Sequence, residues 1–218
     1  MTICLVTDRR LAGAGAPFGV VRTRLVQHAC RAADAGVDVI QIRERDLGAA
    51  DLSAIVTDVL EGTRTTRIRV VVNDRLDVAL ASGAGGVHLG ADSISVDAAR
   101  RLAPPGFAIG RSVHSVEEAI AAEGADYLFA GTVFPSASKP QATRWLGVDG
   151  LRAIVRTVRA PVLAIGGING ERIDAIAAAG AAGFAAIGLF SGAGGSLIAL
   201  RQLVGDARRR FDSVETAP

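Results

Sequence analysis

The sequence predicts a (β/α)8 barrel, and three observations predict it. First, one unit recurs four times, in which an Ala-rich helical stretch ends in Gly and runs straight into a short apolar strand: AADAGVDVIQIR, ALASGAGGVHLG, AIAAEGADYLFAG and AIAAAGAAGFAAIG. Glycine stops a helix by taking the left-handed conformation, and strands that alternate with helices at this pitch make parallel βαβ units. Second, the chain of 218 residues is 50% apolar but only 4% aromatic. Its core must therefore be Ala, Val, Ile and Leu, which suits a parallel sheet covered by helices. Third, polar and glycine-rich residues cluster where the strands end, the face on which barrel enzymes carry their chemistry.

Eight strands are expected, at Ile3–Thr7, Val37–Arg43, Arg69–Asn73, Gly86–Leu89, Phe107–Ser112, Tyr127–Gly131, Val162–Gly166 and Gly183–Gly188. Helices fall between them, and a last helix from about Ser196 to Arg210 closes the ring. Eight regular units with no point where strand order reverses favour a closed barrel over an open doubly wound sheet. The whole chain, 1–218, reads as one TIM-barrel domain without a linker or low-complexity tract, and only the tail after Phe211 is expected to fray.

Composition excludes several classes. Net charge is only +2 and no basic run is interleaved with aromatics, so no nucleic-acid partner is expected. No apolar run reaches the length of a membrane span, and MTICLVTDRR reads as a strand followed by charge rather than a leader. A cytoplasmic location without a membrane partner is the expectation. Cys4 and Cys30 make neither a metal-ligand spacing nor a disulfide framework and are expected to be buried free thiols. The expected partners are phosphorylated small molecules, with a homo-oligomer left open.

The strand ends carry the candidate chemistry. Strand two ends in Gln41, Ile42, Arg43, Glu44 and Arg45, strand three in Asn73 and Asp74, and strand four in His88 followed by Gly90, Asp92 and Ser93. Strand five ends in Ser112 and His114, the stretch after strand six holds Ser136, Ser138 and Lys139, and strands seven and eight end in Gly166, Gly167, Ile187 and Gly188. Barrels commonly bind phosphate at the loops after strands seven and eight with the help of a short extra helix, and bare glycine amides suit that task. Gln41, Arg43 and Arg45 alternate, so in an extended strand they share one face, and the two arginines could grip a phosphate. The other reading pairs them with Glu44 and Asp46.

Lys139 is the one lysine among 24 Lys and Arg. A Schiff-base role does not suit it, because it lies in a loop rather than within a strand. Asp74 is the best candidate for a Mg2+ ligand, since Mg2+ takes one or two carboxylates with phosphate oxygens and water. It could equally cap a helix at Arg75–Ser82. His88 and His114 could each serve as acid or base, or satisfy a neighbour. His28, in the first helix, reads as a packing or surface residue.

Seven stretches in order, QIRER, VNDR, GVHLG, GRSVHS, GTVFPSASK, AIGGI and AAIGLF, resemble the thiamine phosphate synthase family and its relative, the thiazole tautomerase of thiamine biosynthesis. The resemblance implies a transferase that joins hydroxymethylpyrimidine diphosphate to thiazole phosphate and releases pyrophosphate. It implies that Gln41, Asn73 and His88 hold the pyrimidine, and that Arg43, Arg45, Ser112 and Lys139 grip the diphosphate. Ser136 and Ser138 stand where the family has threonines, Arg45 stands where it usually has lysine, and thiazole phosphate would sit on the amides of Gly167 and Gly188, beside Ile187.

One departure matters. The family pattern after strand four is H-x-G-Q-x-D, and its aspartate is a second Mg2+ ligand. Here Ser93 occupies that position, and Asp92 falls one residue early. Asp74 and Asp92 are therefore the expected metal ligands, with Asp92 reaching the ion only through a rearranged loop or a water. The departure also opens an alternative: a metal-independent thiazole tautomerase that acts on carboxythiazole phosphate, with His114 as proton shuttle. A further alternative is a non-catalytic barrel that binds thiamine-pathway phosphates and regulates a partner. Such a protein would not need Arg43, Arg45, Ser112 and Lys139 together.

Overall fold

The computed structural model describes residues 1–12, 15–136, 145–192 and 196–214. Eight parallel strands close into a barrel in chain order. They are β1 (Thr2–Val6), β2 (Val39–Ile42), β3 (Arg69–Asn73), β4 (Gly86–Leu89), β5 (Ala108–Val113), β6 (Tyr127–Gly131), β7 (Val162–Ile165) and β8 (Gly183–Ala186). The helices are α1 (Phe18–Asp34), α2 (Ala49–Gly62), α3 (Leu76–Ala81), α4 (Val96–Leu102), α5 (Val116–Ala121), α6 (Gly147–Thr157), α7 (Ile173–Ala178), α8 (Gly188–Ser191) and α9 (Leu197–Asp212).

The repeated helix–Gly–strand unit works as its sequence implies. Gly36, Gly83, Gly124 and Gly180, each just after a helix, all have positive φ, where a Cβ would clash with the backbone. Side chains then alternate along each strand. Cys4, Val6, Phe129, Leu163 and Ala185 pack in one cluster inside the barrel, while the opposite faces pack against the helices in a second, larger cluster. Burying a Val, Leu or Ile side chain contributes roughly 1.5–3 kcal/mol, so the many such residues between strands and helices supply the main driving force for closure.

Three strands keep their expected bounds, at Arg69–Asn73, Gly86–Leu89 and Tyr127–Gly131. Three are shorter, β7 by one residue at Ile165 and β2 and β8 for local reasons. β2 ends at Ile42 because the Arg43 amide donates to the Thr7 hydroxyl at 3.0 Å instead of continuing the ladder. β8 ends at Ala186 because Ile187 turns to φ −103°, ψ −68° and starts α8. Ser196 caps α9, accepting from the Ala199 amide, and the helix continues to Asp212, two residues past the expected end. Cys4 is buried as expected, whereas Cys30 is only half-buried. No helix among the described residues is long and apolar enough to cross a membrane.

Candidate active site

The C-terminal ends of β1–β5 carry a connected polar network. Gln41 is 2% exposed, and its Nε2 donates to Asn73 Oδ1 at 2.8 Å. Asn73 Nδ2 in turn donates to Asp74 Oδ2 at 2.6 Å. Asp74 Oδ1 accepts from the Gly90 amide at 2.8 Å and from the Ser93 hydroxyl. Arg45 Nε stands 4.0 Å from Asp74 Oδ2. Partial burial pushes the Asp74 pKa up, but the hydrogen bonds from Ser93 and Gly90, with Arg45 nearby, outweigh it and hold the group below the usual carboxylate value.

His88 sits one strand further round, 1% exposed. Its Nε2 is 2.9 Å from Ser112 Oγ and its Nδ1 is 3.2 Å from the Tyr127 hydroxyl. Its ring lies 4.1 Å from the Phe129 ring, centroid to centroid. Gly110 makes room for this cluster, because a Cβ there would lie 2.2 Å from the Tyr127 ring. Burial lowers the His88 pKa to about 3. The imidazole is therefore neutral near neutral pH, and its two ring nitrogens face Ser112 and Tyr127, in keeping with the reading in which it satisfies its neighbours.

Between the ends of β1 and β2 lies a cleft of about 290 Å³, lined by Asp8, Arg9, Arg10, Arg43, Glu44, Arg45 and Asp46. Its internal pairing is asymmetric. Arg10 pairs with Asp8. Arg9 takes both Glu44 and Asp46, with its Nη2 2.6 Å from Asp46 Oδ2. Glu44 is buried, which raises its pKa, and it accepts the Thr7 hydroxyl at 2.7 Å. These pairings leave Arg43 and Arg45 as the cations of the cleft. Arg43 is half-buried, and its guanidinium makes no ion pair among the described residues. Burial, with Arg45 beside it, lowers its pKa, but a guanidinium stays charged.

This corrects two readings of the strand-two end. Arg43 and Arg45 lie beyond β2 rather than on one strand face, and the partner of Glu44 and Asp46 is Arg9. Asp8 and Arg9 are not among the expected site residues, although the run Thr7-Asp8-Arg9-Arg10 is as polar as any other strand end.

The β7 and β8 ends are built from backbone. Gly166 and Gly167 have φ of 99° and 65°. A Cβ on Gly167 would lie 2.4 Å from the Pro135 carbonyl oxygen, whereas a Cβ on Gly188 would meet nothing within 4 Å. Gly188 is the first residue of α8, the short extra helix expected after strand eight. Neither the Gly167 nor the Gly188 amide donates to an acceptor among the described residues. Arg172 braces this edge from below, bonded to the Gly167 carbonyl and stacked 4.7 Å over Phe134. Ile187 is half-buried beside Gly188.

The remaining expected residues divide. Asp74 is not a helix cap: it takes φ +60°, and the residue before α3 is Arg75. Asp92 is exposed and makes no hydrogen bond or ion pair with Asp74; Ser93 faces Asp74 instead. His114 is exposed and turned to Glu118, with Nδ1 3.0 Å from Oε2. It stays outside the network of Gln41, Asn73 and Asp74. Ser136 is half-buried in the stretch after β6. Ser138 and Lys139 lie outside the described residues.

A magnesium ion asks little of a protein beyond one carboxylate when phosphate oxygens and water supply the rest. Asp74 Oδ1 already accepts two donors, but among the described residues Oδ2 accepts only Asn73, which leaves one lone pair open. The donor set fits an ion that takes one protein oxygen and completes its shell from a bound phosphate and water. Among the described residues, no group of three or more His, Cys, Asp and Glu comes together to hold an ion.

A barrel with Arg43 unpaired among the described residues and Arg45 facing Asp74 on one side of its mouth, and bare glycine amides on the other, has the features of the phosphate-handling TIM-barrel enzymes. Residues 3–190 match the family model for thiamine monophosphate synthase. The chain is 45% identical over 174 residues to the thiamine-phosphate synthase of Methanoculleus marisnigri, covering 79% of this chain and 82% of that one. It is 40% identical over 205 residues to that of Methanoregula boonei, covering 93% and 91%. The solved thiamine phosphate pyrophosphorylase from Pyrococcus furiosus superposes with a TM-score of 0.82 at 35% identity, covering 96% of each chain. The chain belongs to the thiamine monophosphate synthase family, and with it to the transferases of thiamine biosynthesis.

Proposed function

We propose that this chain joins hydroxymethylpyrimidine diphosphate to thiazole phosphate, forming thiamine phosphate and releasing pyrophosphate. The observation that carries this reading is the buried oxygen Oε1 of Gln41, which has no hydrogen-bond donor among the described residues. Leaving such an acceptor unpaired costs about 1–3 kcal/mol, and an amino group on a pyrimidine ring would satisfy it. Asn73 and His88 complete the walls of that subsite. The diphosphate takes Arg43 and Arg45, the cations of the cleft, with Ser112 beneath it; Ser136, Ser138 and Lys139 join on the strength of the family resemblance. The thiazole phosphate takes the amides of Gly167 and Gly188, against Ile187.

The carbon–oxygen bond to the diphosphate breaks and the thiazole nitrogen takes the vacated carbon. No protein nucleophile is required. The side chains act by positioning and by stabilising the charge that builds on the departing pyrophosphate. Mg2+ would be held by Asp74 together with diphosphate oxygens, and it supplies further charge neutralisation there. Asp92, which is exposed, is assigned no direct contact.

The test is to incubate the purified protein with hydroxymethylpyrimidine diphosphate and the carboxythiazole phosphate tautomers, with and without Mg2+. Both products are followed together by chromatography. The reading expects thiamine phosphate that depends on Mg2+. Tautomer exchange without coupling, indifferent to EDTA, would replace it with the tautomerase and return His114 to consideration as proton shuttle.

A further inference from the structure

We propose that Arg111 and Ser93 are positioning residues for the Asp74 carboxylate, acting together through the loop between β4 and α4. The inference rests on the reading of Asp74 as the carboxylate of the reacting site. The loop, residues 90–95, has little else to hold it. Ala91, Asp92 and Ile94 are exposed, so no apolar packing fixes its middle. Arg111, on β5 beside Leu89 of β4, reaches across with two donors. Its Nη1 bonds the Ile94 carbonyl at 3.0 Å and its Nη2 bonds the Ala91 carbonyl at 3.1 Å. These two carbonyls bracket Ser93. A planar guanidinium that bonds both fixes the spacing between them, which a single ammonium cannot do.

Ser93, so held, turns inward. Its hydroxyl donates to Asp74 Oδ1 and accepts from the Gly90 amide at 2.8 Å, and the same amide reaches Asp74 Oδ1. The knot saturates Oδ1 and fixes the rotation of the carboxylate, so that the lone pair left open is the second one of Oδ2, beside the bond from Asn73. Asp74 needs this support. Its backbone has φ +60°, a region that Asp tolerates better than most residues but seldom occupies. A carboxylate carried on such a residue is oriented by what bonds it rather than by its own backbone preference.

The test compares Arg111→Met, Ser93→Ala and the double variant with the wild type in the coupling assay, alongside hydrogen exchange at the Gly90 amide measured by NMR without substrate. Each single variant is expected to lower kcat by about tenfold with both KM values within about twofold, and to speed Gly90 exchange. The double variant is expected to lose no more than the worse single one, because both act through one loop. Ser93→Thr, which keeps the hydroxyl, and Arg111→Lys, which keeps the charge, test the same positions where the larger changes impair folding. Ser93→Thr should restore kcat and Arg111→Lys should restore it only in part. Unchanged kcat and Gly90 exchange in Arg111→Met, or losses that multiply in the double variant, would overturn the inference. A wild-type protein that makes no thiamine phosphate would instead overturn the functional reading, and Gly90 exchange would still report on the loop.

Discussion

The two sides of the barrel mouth do comparable work with different materials. From β1 to β5 the surface is side chains: arginines sorted by their acidic partners, and an amide–carboxylate chain from Gln41 to Asp74. At β7 and β8 it is bare backbone, glycine amides with no acceptor among the described residues. Side-chain donors carry full charge and can stabilise a leaving group, but each can be removed by one substitution. Backbone amides survive any substitution that keeps the chain's path, and are vulnerable only where an added Cβ alters that path or fills the open space in front of them. The side that handles the leaving group should therefore control kcat, and the glycine side should control affinity.

The largest expected effect falls on the side-chain half. Asp74→Ala should lower kcat by about 10²–10³, measured as thiamine phosphate formed at saturating substrates. Wild-type turnover in this variant would remove Asp74 from the reaction.

Next come two glycines that separate affinity from folding. Gly167→Ala places a Cβ against the Pro135 carbonyl at positive φ and should cost about 1–3 kcal/mol of stability, read from denaturant midpoints. Gly188→Ala meets nothing. It should leave the midpoint unchanged and raise KM for thiazole phosphate several-fold, about three to ten. An unchanged KM would move the phosphate off the Gly188 amide.

A pH effect follows from His88. Burial lowers its pKa from 6.5 to about 3. Between those values the unfolded chain binds a proton that the folded chain does not. This contribution is complete above about pH 6.5 and is lost as pH falls, by up to about 1.4 kcal/mol per unit. His28, held low by its burial and by Arg31, slopes the same way. Denaturant midpoints from pH 7 to 5 should fall less steeply in His88→Asn than in wild type, and an equal slope would mean that His88 is not held neutral. The smallest effect belongs to His114→Ala. That side chain faces Glu118 at the surface, so coupling should stay within about twofold of wild type. A large loss would place it at the reacting atoms.

Much of this was legible in the sequence. The four helix–Gly–strand repeats indicate a barrel because a helix-stopping Gly followed by an apolar strand is a local rule, readable from neighbours in the chain. For the same reason Gln41, Asn73, Asp74 and His88 could be placed at strand ends, whereas strand eight was expected to run through Gly188, where α8 in fact begins. The pairing of Arg9 with Glu44 and Asp46 was not legible, because it joins residues more than thirty positions apart across two strand ends. Nor was the choice between Asp92 and Ser93, which depends on the turn of a loop held by Arg111 from the next strand.

The sequence by itself determined the architecture and which residue types stand at the mouth, because periodicity and helix stops act over a few residues. Only the tertiary structure decided which charges are spent and which remain. Arg43 is left without an ion pair among the described residues because Arg9 and Arg10, from beyond the end of β1, have taken Glu44, Asp46 and Asp8. Coulombic and hydrogen-bond energies depend on distance in space, and closure of the barrel sets those distances.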